Sequence, residues 1–347
     1  MRFQPVNVQK QGVLVLGAGA TRGASFVDDE VGVLPPLDGD FYVQAQKATI
    51  EGAGELVDKL IEDTVEVFGN NFALTMEDFL TQIEHLSYVF QDYRFQGRPP
   101  ATNRYEGMRE RFLQCLAAVM YEALGREPEC EHHKVLLDML DSGDTIMSFN
   151  YDWLMDSTLR KHAGRLWDPR CSYGVPVYSD AGAAYWANRD SLRDTDRPDS
   201  YLKLLKMHGS LTWFGKPESN DDRLKLRQRW WHQRGTMNFE IAPPQWNKPI
   251  RSGIYQNIWR EARKDLIDAE ALVFIGYSLP DTDLPAQALF RIDAGEEGEA
   301  QALDWLVLVN PDPEARRRIR RVLMNRLNKE TRVLVFDRLK QFADWVG

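Results

Sequence analysis

Cysteine is scarce: three residues in 347, Cys115, Cys130 and Cys171, lie far apart, and none belongs to a C-x-x-C pair. That spacing excludes a disulfide framework and a thiolate zinc site. Long apolar runs are missing too, since none approaches the roughly 20 residues needed to cross a bilayer. The first residues lack the basic, apolar, small-residue order of a secretory signal. The expectation is a soluble, cytoplasmic chain with no membrane partner. Basic charge is not in excess, and a net charge of -9 argues against wholesale attachment to nucleic acid or anionic lipid. Nucleic-acid contact is expected only locally or through a partner. No internal repeat or low-complexity tract is present, and the length suffices to bury a large core without staples.

The chain does contain wholly apolar strand-like runs. Val13–Leu16, Ala271–Ile275 and Trp305–Val309 read as strands covered by helices on both faces, as in a parallel sheet. Thr145–Phe149, Leu204–Met207, Phe239–Ala242 and Val333–Phe336 read as further strands. Between about Glu55 and Leu140 the period turns helical: Met76, Phe79, Leu80, Ile83, Leu86 and Phe90 form one stripe, and Met108, Phe112, Leu116, Val119 and Met120 another. Helices are also predicted over Trp153–Lys161, Ser252–Asp268 with Ser252 as N-cap, Leu284–Asp293 and Glu314–Asn325. The fold class is α/β: a Rossmann-like parallel sheet with a large helical insertion over 42–133 and a loop-rich small module over 165–236.

Polar or small residues stand where the predicted strands end. In an open α/β sheet, side chains delivered by the carboxyl ends of several strands line one crevice, expected here to hold a dinucleotide. Gly17-Ala18-Gly19-Ala20-Thr21 follows the first strand; glycines at 17 and 19 let backbone N–H groups approach a pyrophosphate, and Thr21 adds a hydroxyl. The run departs from G-x-G-x-x-G because Arg22 occupies the third glycine position, so a plain tight turn explains it equally well. Asn150 and Asp152 suit a ribose hydroxyl or a water, or else an Asx turn capping the next helix. His208, which precedes a tight turn expected at Gly209-Ser210, is tuned to move a proton near neutral pH, or is a satisfied buried histidine. Gly276 and Ser278 resemble a second phosphate or ribose loop, and Asn310 is placed to read an adenine ribose; each is also ordinary turn chemistry. The basic stretch Arg223–Arg229 before Trp230-Trp231 reads as a solvated edge hairpin ahead of a single-strand nucleic-acid surface, and Arg316–Arg321 as a solvated helix face.

Taken in order, Gly-Ala-Gly, Asn150-x-Asp152, His208-Gly209, Gly276-x-Ser278 and a strand-terminal Asn310 resemble the sirtuin domain in its divergent bacterial branch. Phe149-Asn150-Tyr151-Asp152-Trp153, Lys206-Met207-His208-Gly209-Ser210-Leu211-x-Trp213, Pro243-Pro244-Gln245-Trp246-Asn247-Lys248 and Gly276-Tyr277-Ser278-Leu279-Pro280-x-x-Asp283 are similar to that branch's signatures. The resemblance implies a single sirtuin-like domain over 1–347, NAD as substrate, and Asn150 and His208 flanking the nicotinamide ribose. Cofactor contacts are expected from Gly17, Ala18, Gly19, Ala20, Thr21, Asp38, Gly276, Ser278 and Asn310; Asp152, a third catalytic candidate, and Asp38 are candidates for stabilising the positive charge that develops on the ribose. Protein-deacylating sirtuins carry four zinc-binding cysteines and a Pro-Asp-Phe-Arg stretch. This chain has no such cysteines and only Leu37-Asp38-Gly39-Asp40-Phe41 in place of the second. Zinc-free sirtuin-like domains of anti-phage defence systems hydrolyse NAD, so the resemblance implies a metal-free NAD hydrolase that depletes NAD in infected cells. A homo-oligomer, or a partner such as a hexameric ATPase or translocase, would control it. The alternatives are an NAD-dependent deacylase and a non-catalytic nucleotide-binding assembly module.

Overall fold

The computed structural model describes residues 1–3, 8–9, 11–28, 32–90, 101–187, 200–214, 223–228, 239–242, 253–293 and 300–347. A short antiparallel pair, β1 (Arg2–Phe3) and β2 (Val8–Gln9), precedes the first apolar run. That run becomes β3 (Gly12–Leu16), buried at every position. Next in the chain come β4 (Thr145–Ser148), β5 (Lys203–Lys206), the separate antiparallel pair β6 (Gly209–Phe214) and β7 (Phe239–Ile241), then β8 (Ala271–Ile275), β9 (Trp305–Val309) and β10 (Arg332–Phe336). Six of these strands form one parallel sheet in the order β10-β9-β8-β3-β4-β5. The chain therefore starts at the centre, winds outward one way, and returns to wind outward the other. This is the doubly wound order of dinucleotide-binding folds, with its switch point between β3 and β8.

The registers align the strand ends. Leu16 pairs with both Ser148 and Ile275, Ser148 with Lys206, and Ile275 with Val309. Gly17, Phe149-Asn150, Met207-His208, Gly276 and Asn310 consequently emerge in one row along the carboxyl edge of the sheet. Asn150 and His208 each lie two positions past the same pair, Ser148 and Lys206, on neighbouring strands, which run about 4.8 Å apart.

Between β3 and β4 the chain forms α1 (Ala18–Arg22), α2 (Phe41–Lys47), α3 (Ala53–Phe68), α4 (Met76–Val89), α5 (Ala101–Leu124) and α6 (Glu131–Asp138). The helical stripes meet through stacked Phe79 and Phe112, 5.0 Å between ring centres, with Phe41 4.5 Å from Phe112. This apolar layer is continuous with the core beneath the sheet. After β4 come α7 (Leu154–His162), α8 (Pro169–Ser172) and α9 (Ala181–Trp186), followed later by α10 (Gly253–Asp268), α11 (Leu284–Phe290), α12 (Pro313–Val322) and α13 (Leu339–Val346). The predicted N-cap of α10, Ser252, and the segments Arg229–Trp231 and Pro243–Lys248 lie outside the described residues.

Two local readings change. Gly209-Ser210 is not an isolated turn: the chain reverses at Met207-His208, Gly209 adopts φ +78, and β6 follows with its first five residues buried. Within the basic stretch, Arg227 is not solvated. It lies buried between the Phe214 and Phe239 rings, 4.6 and 5.0 Å away, and desolvation brings its pKa down to about 10. Among the described residues no helix is long and apolar enough to cross a membrane, and no group of three or more His, Cys, Asp or Glu is placed to hold a metal ion.

Candidate functional site

The glycines at the switch point pack backbone against backbone. The Gly17 amide donates to the Ile275 carbonyl at 3.0 Å, the Gly19 amide to Gly276 O at 3.0 Å, and the Ala20 amide to Gly17 O at 2.8 Å. A Cβ on Gly17 would stand 2.5 Å from the Tyr277 Cα, and one on Gly276, at φ +60, would stand 2.3 Å from the Ala20 nitrogen. Glycine is therefore required here because two strand-end loops touch. The amides that the sequence assigned to a pyrophosphate are satisfied within the protein, while Ala18 and Gly19 remain half-buried at the surface of the turn. Arg22, which breaks the dinucleotide fingerprint, has a function of its own. It donates to the Pro35 carbonyl at 2.8 Å and ion-pairs with Asp40, clamping the loop that carries Asp38.

Asn150 leans toward that turn. Its Nδ2 donates to Gly17 O at 2.9 Å and to Thr21 Oγ1 at 3.1 Å, which fixes the orientation of the amide because a carbonyl only accepts. Its Oδ1 is buried without a hydrogen-bond partner among the described residues. Thr21 in turn donates to Asp152 Oδ2 at 2.7 Å, and Asp152 Oδ1 accepts the Leu154 amide at 2.9 Å. Asp152 thus caps the entry to α7 and holds Thr21 against Asn150. Beneath them a buried charge pair, Lys206 with Asp156 at 3.5 Å, fixes the turn from below, Lys206 also donating to the Asp152 carbonyl.

His208 belongs to a second cluster beside the first. Its Nε2 lies 3.4 Å from Asp283 Oδ2, which also accepts the Tyr277 hydroxyl at 2.9 Å. The other Asp283 oxygen accepts the Ala286 amide at 3.2 Å, so the carboxylate is anchored to α11. Phe149 stacks on Tyr277 at 4.1 Å and meets the imidazole edge-on at 5.1 Å, and Tyr151 lies 6.2 Å from it. Imidazole and carboxamide occupy adjacent strand ends, the first held by Asp283 and the second by Gly17 and Thr21.

Asn310 ties β9 to this loop, donating to the Tyr277 carbonyl at 3.3 Å and accepting the Asp312 amide at 2.9 Å. Ser278 offers its carbonyl to Arg318 at 3.1 Å, so one arginine of the basic helix supports the site loop instead of facing solvent. The next residue, Leu279, is 1 % exposed and held at φ +47, a left-handed conformation of the kind that costs a bulky residue about 1–3 kcal/mol. Asp38 stands at the rim, its Oδ1 accepting the Glu77 amide at 2.9 Å. The residue is exposed, but protein packed around its carboxyl partly desolvates it and raises its pKa above the ordinary carboxylate value, against that hydrogen bond.

The model of the SIR2-like domain family matches residues 144–330, more than half of the chain. The chain belongs to the SIR2-like domain family. Membership associates it with NAD in general. No curated protein matches the chain. The matched span runs from the start of β4 to just short of β10, so the SIR2-like match contains Asn150, Asp152, His208, Gly276, Ser278, Asp283 and Asn310. The glycine turn, Asp38 and the helical insertion lie outside it.

Three features of this SIR2-like domain have no role assigned from sequence: Asp283 behind the histidine, Glu77 of the helical insertion, whose Oε2 accepts the Thr282 hydroxyl at 2.6 Å and so joins the insertion to the Asp283 loop, and the environment of Cys130. Asp283 ends the run that begins at Gly276, but its contact with His208 spans 75 positions. Cys130 was read as isolated, yet its Sγ lies 3.2 Å from His133 Nδ1, 3.3 Å from the Ser25 amide and 3.5 Å from the Ser25 hydroxyl. Burial pushes the thiol up, but the His133 imidazole and the two Ser25 donors outweigh it and bring the pKa down to about 6. Alkylation of Cys130 by iodoacetamide, followed by mass spectrometry, is expected to rise through pH about 6 and then level off. A rate still climbing at pH 8, as for a free thiol with pKa near about 8.5, would contradict this environment.

Proposed function

We propose that the chain cleaves NAD at the nicotinamide glycosidic bond, releasing nicotinamide and ADP-ribose. The observation that carries this reading is the unpartnered, buried Asn150 Oδ1 at one strand end of a doubly wound sheet, with an imidazole backed by a carboxylate at the end of the neighbouring strand. A buried acceptor without a donor is costly and calls for a ligand group. A ribose hydroxyl or a water supplies that donor.

The chemistry needs few groups. The pyridinium is already a cationic leaving group; when the C–N bond breaks, its electron pair neutralises the nicotinamide ring and positive charge moves to the ribose, a demand shared with glycoside cleavage. A water oxygen then bonds to that ribose carbon and loses a proton. Asn150 orients the water or the ribose through Oδ1. His208, with Nε2 turned to Asp283, accepts the proton at Nδ1, directly or through a ribose hydroxyl. Asp152 acts through Thr21 as a positioning residue for Asn150. The bound pyridinium must sit away from bulk water, which suits side chains as buried as these.

Purified protein incubated with NAD, followed by chromatography, tests the proposal: nicotinamide and ADP-ribose should appear in equal amounts without any acylated peptide. Turnover only when acetyl-lysine peptide is added would establish a deacylase, and tight NAD binding without turnover by any assembly would establish a binding module. Expressed in bacteria, an active chain should lower cellular NAD, as an anti-phage effector must, with an off state that self-assembly or a partner ATPase relieves. Asp283→Asn tests the relay. It should lower the rate roughly 10²-fold or more, and the acid limb of the pH–rate profile should move to lower pH, because an imidazole without its carboxylate protonates less readily. A merely structural Asp283 would leave that limb in place.

A further inference from the structure

Just past the end of β4, two consecutive residues each bury one polar atom with nothing to satisfy it. Asn150 leaves its acceptor Oδ1, and Tyr151 leaves its hydroxyl, without a hydrogen-bond partner among the described residues; both residues are 8 % exposed. Other hydroxyls nearby are engaged. Thr21 donates to Asp152, Tyr277 to Asp283, and Ser210 to the Tyr151 carbonyl at 3.2 Å. The Leu211 amide donates to that carbonyl as well, at 2.9 Å, so the Tyr151 backbone is pinned to β6.

The ring stands against the site. It lies 6.2 Å from the His208 imidazole, and the charges of Glu77, Asp283 and Asp38 all reach its hydroxyl, which sets that group among the insertion, the imidazole cluster and the rim. Burial first, and these charges next, hold the phenol well above its ordinary pKa against the opposing Arg109. The hydroxyl is therefore a neutral donor at every physiological pH. A phenol that donates to nothing forfeits the hydrogen bond it makes in water, and a bound acceptor restores it.

The two orphan atoms need opposite partners. Asn150 Oδ1 needs a donor, which a ribose hydroxyl or a water supplies, whereas the Tyr151 hydroxyl needs an acceptor. On the nicotinamide half of the dinucleotide the strongest neutral acceptor is the carboxamide carbonyl. We infer that Tyr151 is a specificity-determining residue: its hydroxyl donates to the carbonyl at position 3 of the pyridine, so that the site selects dinucleotides whose leaving base carries an acceptor there. This rests on the NAD reading of the site and adds which part of the ligand is read. The carbonyl stands apart from the bond that breaks and leaves with the base, so the contact is present before and during cleavage alike. It contributes to affinity and leaves the rate of the bound complex nearly unchanged.

Calorimetry on the full chain tests the inference with three uncleavable NAD analogues that differ only at position 3 of the pyridine: carboxamide, acetyl and methyl. The wild type should bind the first two within about threefold of each other and the methyl compound about tenfold or more weakly, because only the methyl compound leaves the buried hydroxyl unpaired. Tyr151→Phe should bring all three within about threefold, by weakening the carboxamide and acetyl compounds and sparing the methyl one. Without ligand, Tyr151→Phe should melt at or above the wild-type temperature, since it removes a hydroxyl that has no partner. Four results would each overturn the inference while leaving an NAD site standing. They are a wild type that binds the methyl compound as tightly as the carboxamide, acetyl binding as weak as methyl, equal weakening of all three in Tyr151→Phe, and a ligand-free Tyr151→Phe that melts far below the wild type or fails to fold. Binding of none of the three by the wild type would overturn the NAD reading itself.

Discussion

Gly276→Ala is expected to destabilise the protein by about 2–5 kcal/mol, the sum of a left-handed backbone that alanine resists and a steric clash in a packed interior. The added Cβ would fall 2.3 Å from the Ala20 nitrogen and 2.5 Å from the Gly19 Cα. Both are backbone atoms of the turn that carries Thr21, so relief requires the β3 and β8 loops to separate. Gly17→Ala meets the same contact from the other side, with Tyr277 Cα at 2.5 Å. The double variant should cost less than the two single losses added together, because the first separation makes room for the second Cβ. Urea unfolding measures all three. Gly54→Ala serves as the control: this glycine lies in α3 with nothing within 4 Å of an added Cβ, and alanine there should stabilise by about 0.5–1 kcal/mol. If Gly276→Ala unfolded at the wild-type midpoint, the two loops would not be in contact.

Asn150→Ala and His208→Ala are each expected to lower NAD cleavage by about 10²–10⁴-fold, the range spanned by a positioned proton-transfer group. The structural costs are smaller. Asn150→Ala removes hydrogen bonds to Gly17 and Thr21, worth about 1–3 kcal/mol together, while Thr21 keeps its bond to Asp152. His208→Ala leaves Asp283 still bonded to Tyr277 and Ala286. A fall in melting temperature of a few degrees alongside a loss of activity of at least two orders of magnitude separates a chemical role from an architectural one. Because the two residues serve one reacting centre, the double variant should be little worse than either single one. Variants that retained NAD cleavage would reduce Asn150 to a brace for the glycine turn and His208 to a buried partner of Asp283.

Much of the fold was legible because burial on both faces of a parallel sheet leaves a local mark. Val13–Leu16, Ala271–Ile275 and Trp305–Val309 are apolar throughout, and each became a fully buried strand. The row of strand ends could be read from the same runs, since each stops at a glycine or an asparagine. What stayed hidden depends on contacts between distant parts of the chain. Glycines 17, 19 and 276 signalled a turn, but only the registry of β3 with β8 shows that they make room for one another. Thr282 and Glu77 carry no shared pattern, so nothing local announces that the insertion meets the histidine loop. β6 was missed because Gly209-Ser210 reads as a stop signal, and because burial of its first five residues erases the alternation that marks a half-exposed strand. Arg227 and Arg318 read as solvated because arginines usually are. One lies between two aromatic rings and the other holds the Ser278 carbonyl.

The most direct measurement is a crystal structure of the chain with carba-NAD+, in which a methylene group replaces the nicotinamide ribose ring oxygen and prevents cleavage. The nicotinamide ribose is predicted to lie between Asn150 and His208, with a ribose hydroxyl or an ordered water donating to Asn150 Oδ1. A dinucleotide bound elsewhere, or bound nearby with Asn150 Oδ1 still lacking a donor and His208 out of reach of the ribose, would contradict the account.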